Sequence, residues 1–201
     1  MNKQVIAAFD FDGTLTRGSH SRLLFLRHLV GLPNLIKKST ALFILKQINR
    51  FWSLKAYDIQ NLDRLLLTGF DKQILEQYAK EFVESVLNKI VRQEAIERLQ
   101  FHQQQNHNCL LISGAWDIYL KLWAKQYNFD RVICTELDFD SITNKSTGLM
   151  QHPYCVGDEK LYRFKKIYQN REQYILYAYG DSIHDLPLLD YSDYAFYRKF
   201  E

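Results

Sequence analysis

The stretch "VIAAFDFDGTLT", residues 5–16, constrains this chain more than any other. A run of apolar residues with no polar interruption reads as a strand buried on both faces, the kind found in the middle of a parallel sheet. Asp10 and Asp12 stand at its carboxyl end, the edge where open α/β sheets bind their ligands. In an extended strand the two share a face, because side chains alternate with period two. Two carboxylates held that close need a cation, or one of them must carry a proton.

The rest of the chain supplies the sheet. Strand patterns at 109–113, 131–135, 174–179 and 194–197 alternate with helical patterns at 92–105, 116–127 and 159–169, with an irregular or hairpin stretch through 149. That alternation predicts an α/β fold, a Rossmann-like doubly wound parallel sheet. Between the first two strands lie roughly seventy residues of helical pattern, with breaks at 31–33, 50–53 and 68–69. The pattern predicts helices near 20–30, 34–49, 53–67 and 71–86, the last opened by Asp71 as N-cap. This block is too long for one crossover helix and reads as an α-helical cap over the carboxyl edge of the sheet. The core is then 1–16 and 90–201, and the cap 17–89.

Three later strand ends or helix starts carry the residue types a phosphate site needs. "LLISGA" ends a strand with Ser113 and Gly114, a hydroxyl and an open backbone N–H that both donate to phosphoryl oxygens. "CVGDEK" puts Lys160 at the start of a helix, a fixed cation for a dianion. "YAYGDSIHD" ends another strand with Asp181 and places Asp185 four residues on. Carboxylates gathered at one sheet edge form an all-oxygen cluster suited to Mg²⁺.

DxDGT, hydroxyl-Gly after a strand, Lys, then GDxxxD, in this order, resembles the haloacid dehalogenase superfamily of phosphatases. The helical insert directly after the first motif is similar to the subclass that includes phosphoserine phosphatase. The resemblance implies that Asp10 is the nucleophile, forming an aspartyl-phosphate, and Asp12 the general acid and then base. It implies Mg²⁺ held by Asp10, the Asp12 backbone carbonyl and Asp181, and phosphoryl oxygens held by Ser113, Gly114 and Lys160. Asp185 would orient Lys160 or a metal-bound water, and Thr14 would support the loop. His20 and His184 would shape the substrate end of the site, since Mg²⁺ prefers oxygen ligands. Thr16 reads equally well as a hydroxyl capping the turn.

The match departs from the amino-acid phosphatases of this subclass at two points. Ser19 stands where their ammonium-binding Glu would be, and His184 replaces the Asn before the final Asp of the fourth motif. No acidic residue lies anywhere in 17–57, so phosphoserine is not the expected substrate. The expected partner is a small phosphorylated metabolite or a lipid head group.

Charge is uneven along the chain. Eight Lys and Arg fall in 17–57, whereas the remaining residues hold 18 basic against 23 acidic side chains. Phe25, Phe43, Phe51 and Trp52 lie among those cations, and a basic amphipathic segment is the mark of a membrane surface. The insert resembles that of bacterial phosphatidylglycerophosphatases, which share the GxEK third motif matched by Gly157, Glu159 and Lys160. The segment thus has two readings: a soluble cap with its own core, or peripheral contact with an anionic membrane. The same block lacks any recognisable nucleic-acid module, so no nucleic-acid partner is expected. A phosphotransferase, or a non-catalytic binding module on the same fold, are the other readings.

Cys109, Cys134 and Cys155 are odd in number and widely spaced, which suits free thiols in a reducing cytoplasm rather than disulfides. The amino terminus lacks the pattern of a signal peptide, and no apolar run reaches the length of a membrane span. His28, His102, His107 and His152 have no partner visible in the sequence.

Overall fold

The computed structural model describes residues 3–18, 20–34, 36–37 and 59–200. Five strands form one parallel sheet: β1 (Gln4–Phe9), β2 (Asn108–Trp116), β3 (Arg131–Thr135), β6 (Tyr174–Gly180) and β7 (Tyr194–Tyr197). Their order across the sheet is β3-β2-β1-β6-β7. β1 is central, pairing Ile6 to Phe9 with Asn108 to Leu111 of β2 and Gln4 to Phe9 with Tyr174 to Tyr179 of β6.

Period-two alternation divides β1 between two cores. Ala7 and Phe9 face one, with Leu99, Leu111, Trp116, Tyr119 and Trp123. Ile6 and Ala8 face the other, with Phe164, Leu176, Leu188 and Leu189. Both faces are therefore covered, which is why the strand reads as an unbroken apolar run. The covering helices on the core side are α4 (Gln93–Gln104), α5 (Asp117–Gln126), α6 (Asp158–Ile167) and α7 (Leu186–Tyr191). α7 and the extension of β2 to Trp116 are absent from the sequence expectation, because a six-residue helix and a post-glycine strand end carry little periodicity.

The cap enters with α1 (Ser21–Val30), continues in α2 (Ile59–Leu67), and closes with α3 (Lys72–Phe82). α3 runs on through a wider turn, Val83–Leu87, to Asn88–Ile90. The expected Asp71 N-cap has extended backbone, but its side chain makes no capping bond; α3 is started instead by the Asp71 carbonyl accepting from Leu75 N–H at 3.0 Å. Entry and exit strands lie side by side, with Arg17 N–H donating to Ile90 O and Arg92 N–H to Leu15 O.

The cap's described apolar residues do not form a separate core. Phe25, Leu26, Leu66, Leu75 and Phe82 are buried in the same cluster as Trp116, Tyr119 and Trp123. Phe25, Phe82 and Tyr119 make a triangle with ring centroids 5.2–5.3 Å apart. Each such ring contributes about 1.5–3 kcal/mol on burial, so this face is spent on joining cap to core. Of the expected helices, residues 34 and 36–37 of 34–49 and residues 59–67 of 53–67 are helical. The rest of both, with Phe43, Phe51, Trp52 and Ser19, lies outside the described residues. Among the described residues no helix is long and apolar enough to cross a membrane.

The stretch through 149 folds as an antiparallel hairpin, β4 (Leu137–Phe139) and β5 (Ser146–Met150). Asp140 makes its turn, accepting from Ile142 N–H and Thr143 N–H. The hairpin then docks on the cap: Ser146 N–H donates to Phe70 O, Gly69 N–H to Ser146 O, and Thr68 Oγ1 to Thr147 O. Gly148 sits at φ 70° against the Arg64 backbone, where a Cβ would collide.

Candidate active site

The site forms at the carboxyl edge of β1, β2 and β6. β1 ends at Phe9, and Asp10 N–H still donates to Tyr179 O at 2.9 Å, so Asp10 is fixed by the ladder itself. The chain then leaves the sheet in a tight turn, Phe11–Leu15, with Gly13 at φ 84°. Asp10 and Asp12 consequently do not share a strand face as the sequence spacing suggested. The turn after Phe9 sends their carboxylates to different partners, Lys160 for Asp10 and Ser21 for Asp12. Beside the effect of burial, the Asp12 charge still contributes a small upward push on the Asp10 carboxyl.

Asp10 is buried and accepts a hydrogen bond from Lys160 Nζ at 2.8 Å. The same ammonium, 2% exposed, also donates to Asp185 Oδ1. α6 delivers Lys160 two residues into the helix that Gly157 opens. Asp185 is held from behind: its Oδ2 accepts from Asp181 N–H, Ser182 N–H and Ser182 Oγ. A Cβ on Gly180 or on Gly13 would fall on the Asp185 or Asp181 side chain, respectively. Both positions therefore admit only glycine if the acidic groups are to converge.

Asp12 points away from this cluster. Its Oδ1 accepts from Ser21 N–H at 3.0 Å and its Oδ2 from Ser21 Oγ at 2.7 Å. Ser21 is the first residue of α1 and was not singled out in the sequence; a lone Ser at a helix start carries no distinguishing signal. Thr14 Oγ1 lies 3.4 Å from Asp181 Oδ1. Thr16 caps the turn, its hydroxyl on Phe11 O and Gly18 O.

Burial pushes the Asp10 carboxyl up to about 7 despite the Lys160 cation beside it. Asp181 is also raised, by burial and by the Asp185 charge. Burial works the same way on Asp185, but Lys160 and the Ser182 donors outweigh it and leave its pKa below the usual value. Burial likewise disfavours the Lys160 ammonium, yet Asp10 and Asp185 override it and raise its pKa. Asp12 is raised by burial, against the opposing bonds from Ser21.

Oxygen atoms of Asp10, Asp181 and Asp185 all lie within 4.8 Å of one another. Such an all-carboxylate donor set fits a hard divalent cation such as Mg²⁺. The cluster includes Asp185, expected only as a supporting residue, and excludes the side chain of Asp12.

A cleft of about 380 Å³ opens over this cluster, lined by Ser113, Gly114, Val156, Lys160, His184 and Asp185, and by His20, Arg22 and Leu23 from the cap. Ser113 Oγ accepts from Ala115 N–H at 3.2 Å, and a Cβ on Gly114 would strike Val156. Arg22, not foreseen from sequence, is held over the Tyr154 ring at 4.8 Å and 3.6 Å from Asp63.

The remaining histidines and cysteines stand apart. His102 lacked a visible partner in the sequence, but its ring bonds Tyr179 OH at 2.8 Å and His107 at 2.7 Å. All three cysteines are free and buried, and burial raises each thiol above its usual range.

A family model of haloacid dehalogenase-like hydrolases matches residues 7–190. The chain belongs to that family. This hydrolase is 24% identical over 197 residues to a probable phosphatase of Mycobacterium tuberculosis. The aligned part is 92% of this chain but 65% of the relative, so the chain spans about two thirds of that protein's length. Among solved structures, a protein of unknown function from Bordetella pertussis superposes with a TM-score of 0.76 at 17% identity, covering 94% of this chain and 87% of that one. A phosphoserine phosphatase in its apo form superposes at 0.59 with 18% identity, covering 94% and 84%. At those identities the solved structures share the hydrolase's fold.

Proposed function

We propose that this hydrolase is a Mg²⁺-dependent phosphomonoesterase that works through an aspartyl-phosphate on Asp10. The observation that carries the reading is the buried Lys160 ammonium joined to both Asp10 and Asp185, with Asp181 alongside, at the carboxyl edge of the sheet. Asp10, Asp181 and Asp185, with the Asp12 carbonyl, would hold the metal, which when bound supplies charge neutralisation for an incoming phosphate dianion.

The side chains divide the work. Lys160, the Ser113 hydroxyl and the Gly114 N–H face the phosphoryl oxygens and the charge that develops on them. An Asp10 oxygen attacks phosphorus; the bond to the leaving oxygen breaks and that oxygen takes a proton from Asp12. Water then attacks the aspartyl-phosphate, gives its proton back to Asp12, and phosphate departs as the bond to Asp10 breaks.

The outer cleft bears on the leaving group. His20, Arg22, Leu23 and His184 line it, whereas every carboxylate lining the cleft among the described residues belongs to Asp10, Asp12 or Asp185. With those engaged by Lys160 and Ser21, the described residues offer an ammonium group no further carboxylate at the mouth. That favours neutral or anionic leaving groups over phosphoserine, from a soluble metabolite or a lipid head group.

The test is phosphate release with Mg²⁺ from an aryl phosphate, comparing wild type with Asp10→Asn. A panel of soluble monoesters and phosphatidylglycerophosphate in mixed micelles follows. Release abolished by Asp10→Asn supports the enzyme, and preference for the micellar ester supports a lipid substrate. A folded, Mg²⁺-binding wild type that releases nothing sinks the reading.

A further inference from the structure

Asp12 does not hang free in its cleft. Both of its oxygens are occupied by one residue, Ser21, and Ser21 is itself completely buried. Its hydroxyl has a second neighbour, the Tyr119 OH at 2.9 Å, which reaches across from α5 in the core. Tyr119 OH in turn lies 3.3 Å from Trp116 N–H.

Proton counting fixes the direction of this chain. A backbone N–H only donates, so Trp116 donates to the Tyr119 oxygen. When Asp12 is ionised it only accepts, so the single Ser21 hydroxyl proton goes to it. The remaining bond has one proton left to make it, that of Tyr119, and Tyr119 therefore donates to Ser21. The result is a one-way relay from the β2 backbone through a phenol and a serine to Asp12. It is sealed from water: the Tyr119 ring is wholly buried between Phe25 and Phe82 of the cap.

We infer that Tyr119 and Ser21 are positioning residues for Asp12, a phenol of the core holding the first residue of the cap so that the Asp12 carboxylate keeps one pose. The inference rests on the phosphatase reading above, in which Asp12 handles the leaving-group proton. In the pose seen here both oxygens accept from Ser21, the arrangement of the ionised group. Asp12 carrying a proton for the leaving oxygen has to turn one oxygen away from Ser21 toward the cleft. The relay defines the position it leaves and returns to. Because Ser21 opens α1, that position moves whenever the cap moves against α5.

A merely structural contact and a positioning contact differ in which substrates suffer. An alkyl phosphate needs a proton on its leaving oxygen, whereas 2,4-dinitrophenyl phosphate leaves as a stable phenolate without one. Tyr119→Phe deletes the hydroxyl and keeps the ring. It is expected to lower kcat/KM, which reports the first chemical step and not the shared hydrolysis of the aspartyl-phosphate, about tenfold on the alkyl ester, a part of the roughly 10²–10⁴-fold that general acid catalysis supplies. On the dinitrophenyl ester, the change should stay within about threefold. Ser21→Ala should show the same split, larger for losing its bond to Asp12 directly, and Ser21→Thr should restore the alkyl ester.

Equal losses on both esters, or no loss on either, would overturn the positioning role while leaving the phosphatase standing. Wild type that releases phosphate from neither ester would overturn the phosphatase reading, and this inference with it. If Tyr119→Phe does not fold, the Ser21→Ala and Ser21→Thr pair decides the question alone.

Discussion

Replacing the candidate nucleophile by its neutral isostere should make the metal-free protein more stable. Asp10 is 7% exposed and its carboxyl is raised from 3.8 to about 7. A group whose folded pKa lies above its unfolded one favours the fold fully only below the unfolded value. As pH rises from about 4 to about 7 that contribution is lost, because the unfolded chain releases the proton more readily than the folded one. At 1.36 kcal/mol per pKa unit, a rise from 3.8 to about 7 costs wild type about 4 kcal/mol at pH 8. Asp10→Asn resembles the protonated form and escapes the cost. For a chain of this size, roughly 2–4 °C accompanies each kcal/mol, so the variant should melt about 10 °C higher in chelator at pH 8. The two melting temperatures should converge near pH 4. Adding Mg²⁺ should raise wild type by mass action and move Asp10→Asn much less. Calorimetry across pH 4–8, with and without Mg²⁺, checks this. A variant less stable than wild type at pH 8, or a gap independent of pH, would refute the account of Asp10 as a carboxylate buried against its own preference.

Three further outcomes are expected. Gly13→Ala should abolish Mg²⁺-dependent turnover, because its Cβ falls on the Asp181 carboxylate at φ 84°; Mg²⁺ titration of the melting temperature would show the site lost. Burial, then the neighbouring His107 and Arg98, lower His102 from 6.5 to about 4, so its contribution is present above pH 6.5 and lost as pH falls toward 4. That amounts to about 3 kcal/mol, and His102→Gln should flatten this arm of an acid denaturation curve. Gly148→Ala should cost about 2–4 kcal/mol through left-handed strain and its collision with the Arg64 backbone. It should also speed limited proteolysis of the cap, since it loosens the α2–hairpin contact.

What the sequence determined by itself was local or ordered along the chain. The unbroken apolar run before Asp10 could only be a doubly covered strand, and its alternation into two cores is what β1 shows. Lys160, Asp181 and Asp185 each sit at a strand end or helix start, and Ser113 lies three residues before the end of β2; a parallel sheet brings such ends to one edge whatever lies between. Convergence was therefore legible from spacing alone. The direction in which each side chain turns was not, because it depends on groups far away in the chain. Asp12 parts from Asp10 because a turn follows Phe9 and Ser21 waits nine residues on. Asp185 joins the carboxylate cluster because Lys160 and the Ser182 donors hold it ionised in a buried place. The stretch at 137–150 reads from sequence as irregular or hairpin; the docking of the hairpin on the segment 64–70 is not in the sequence. Tyr119 and Ser21, 98 residues apart, meet only when α1 packs on α5. Strand and motif order follow from short-range pattern, whereas the aim of a buried polar group follows from which distant donor satisfies it, and only tertiary packing decides that.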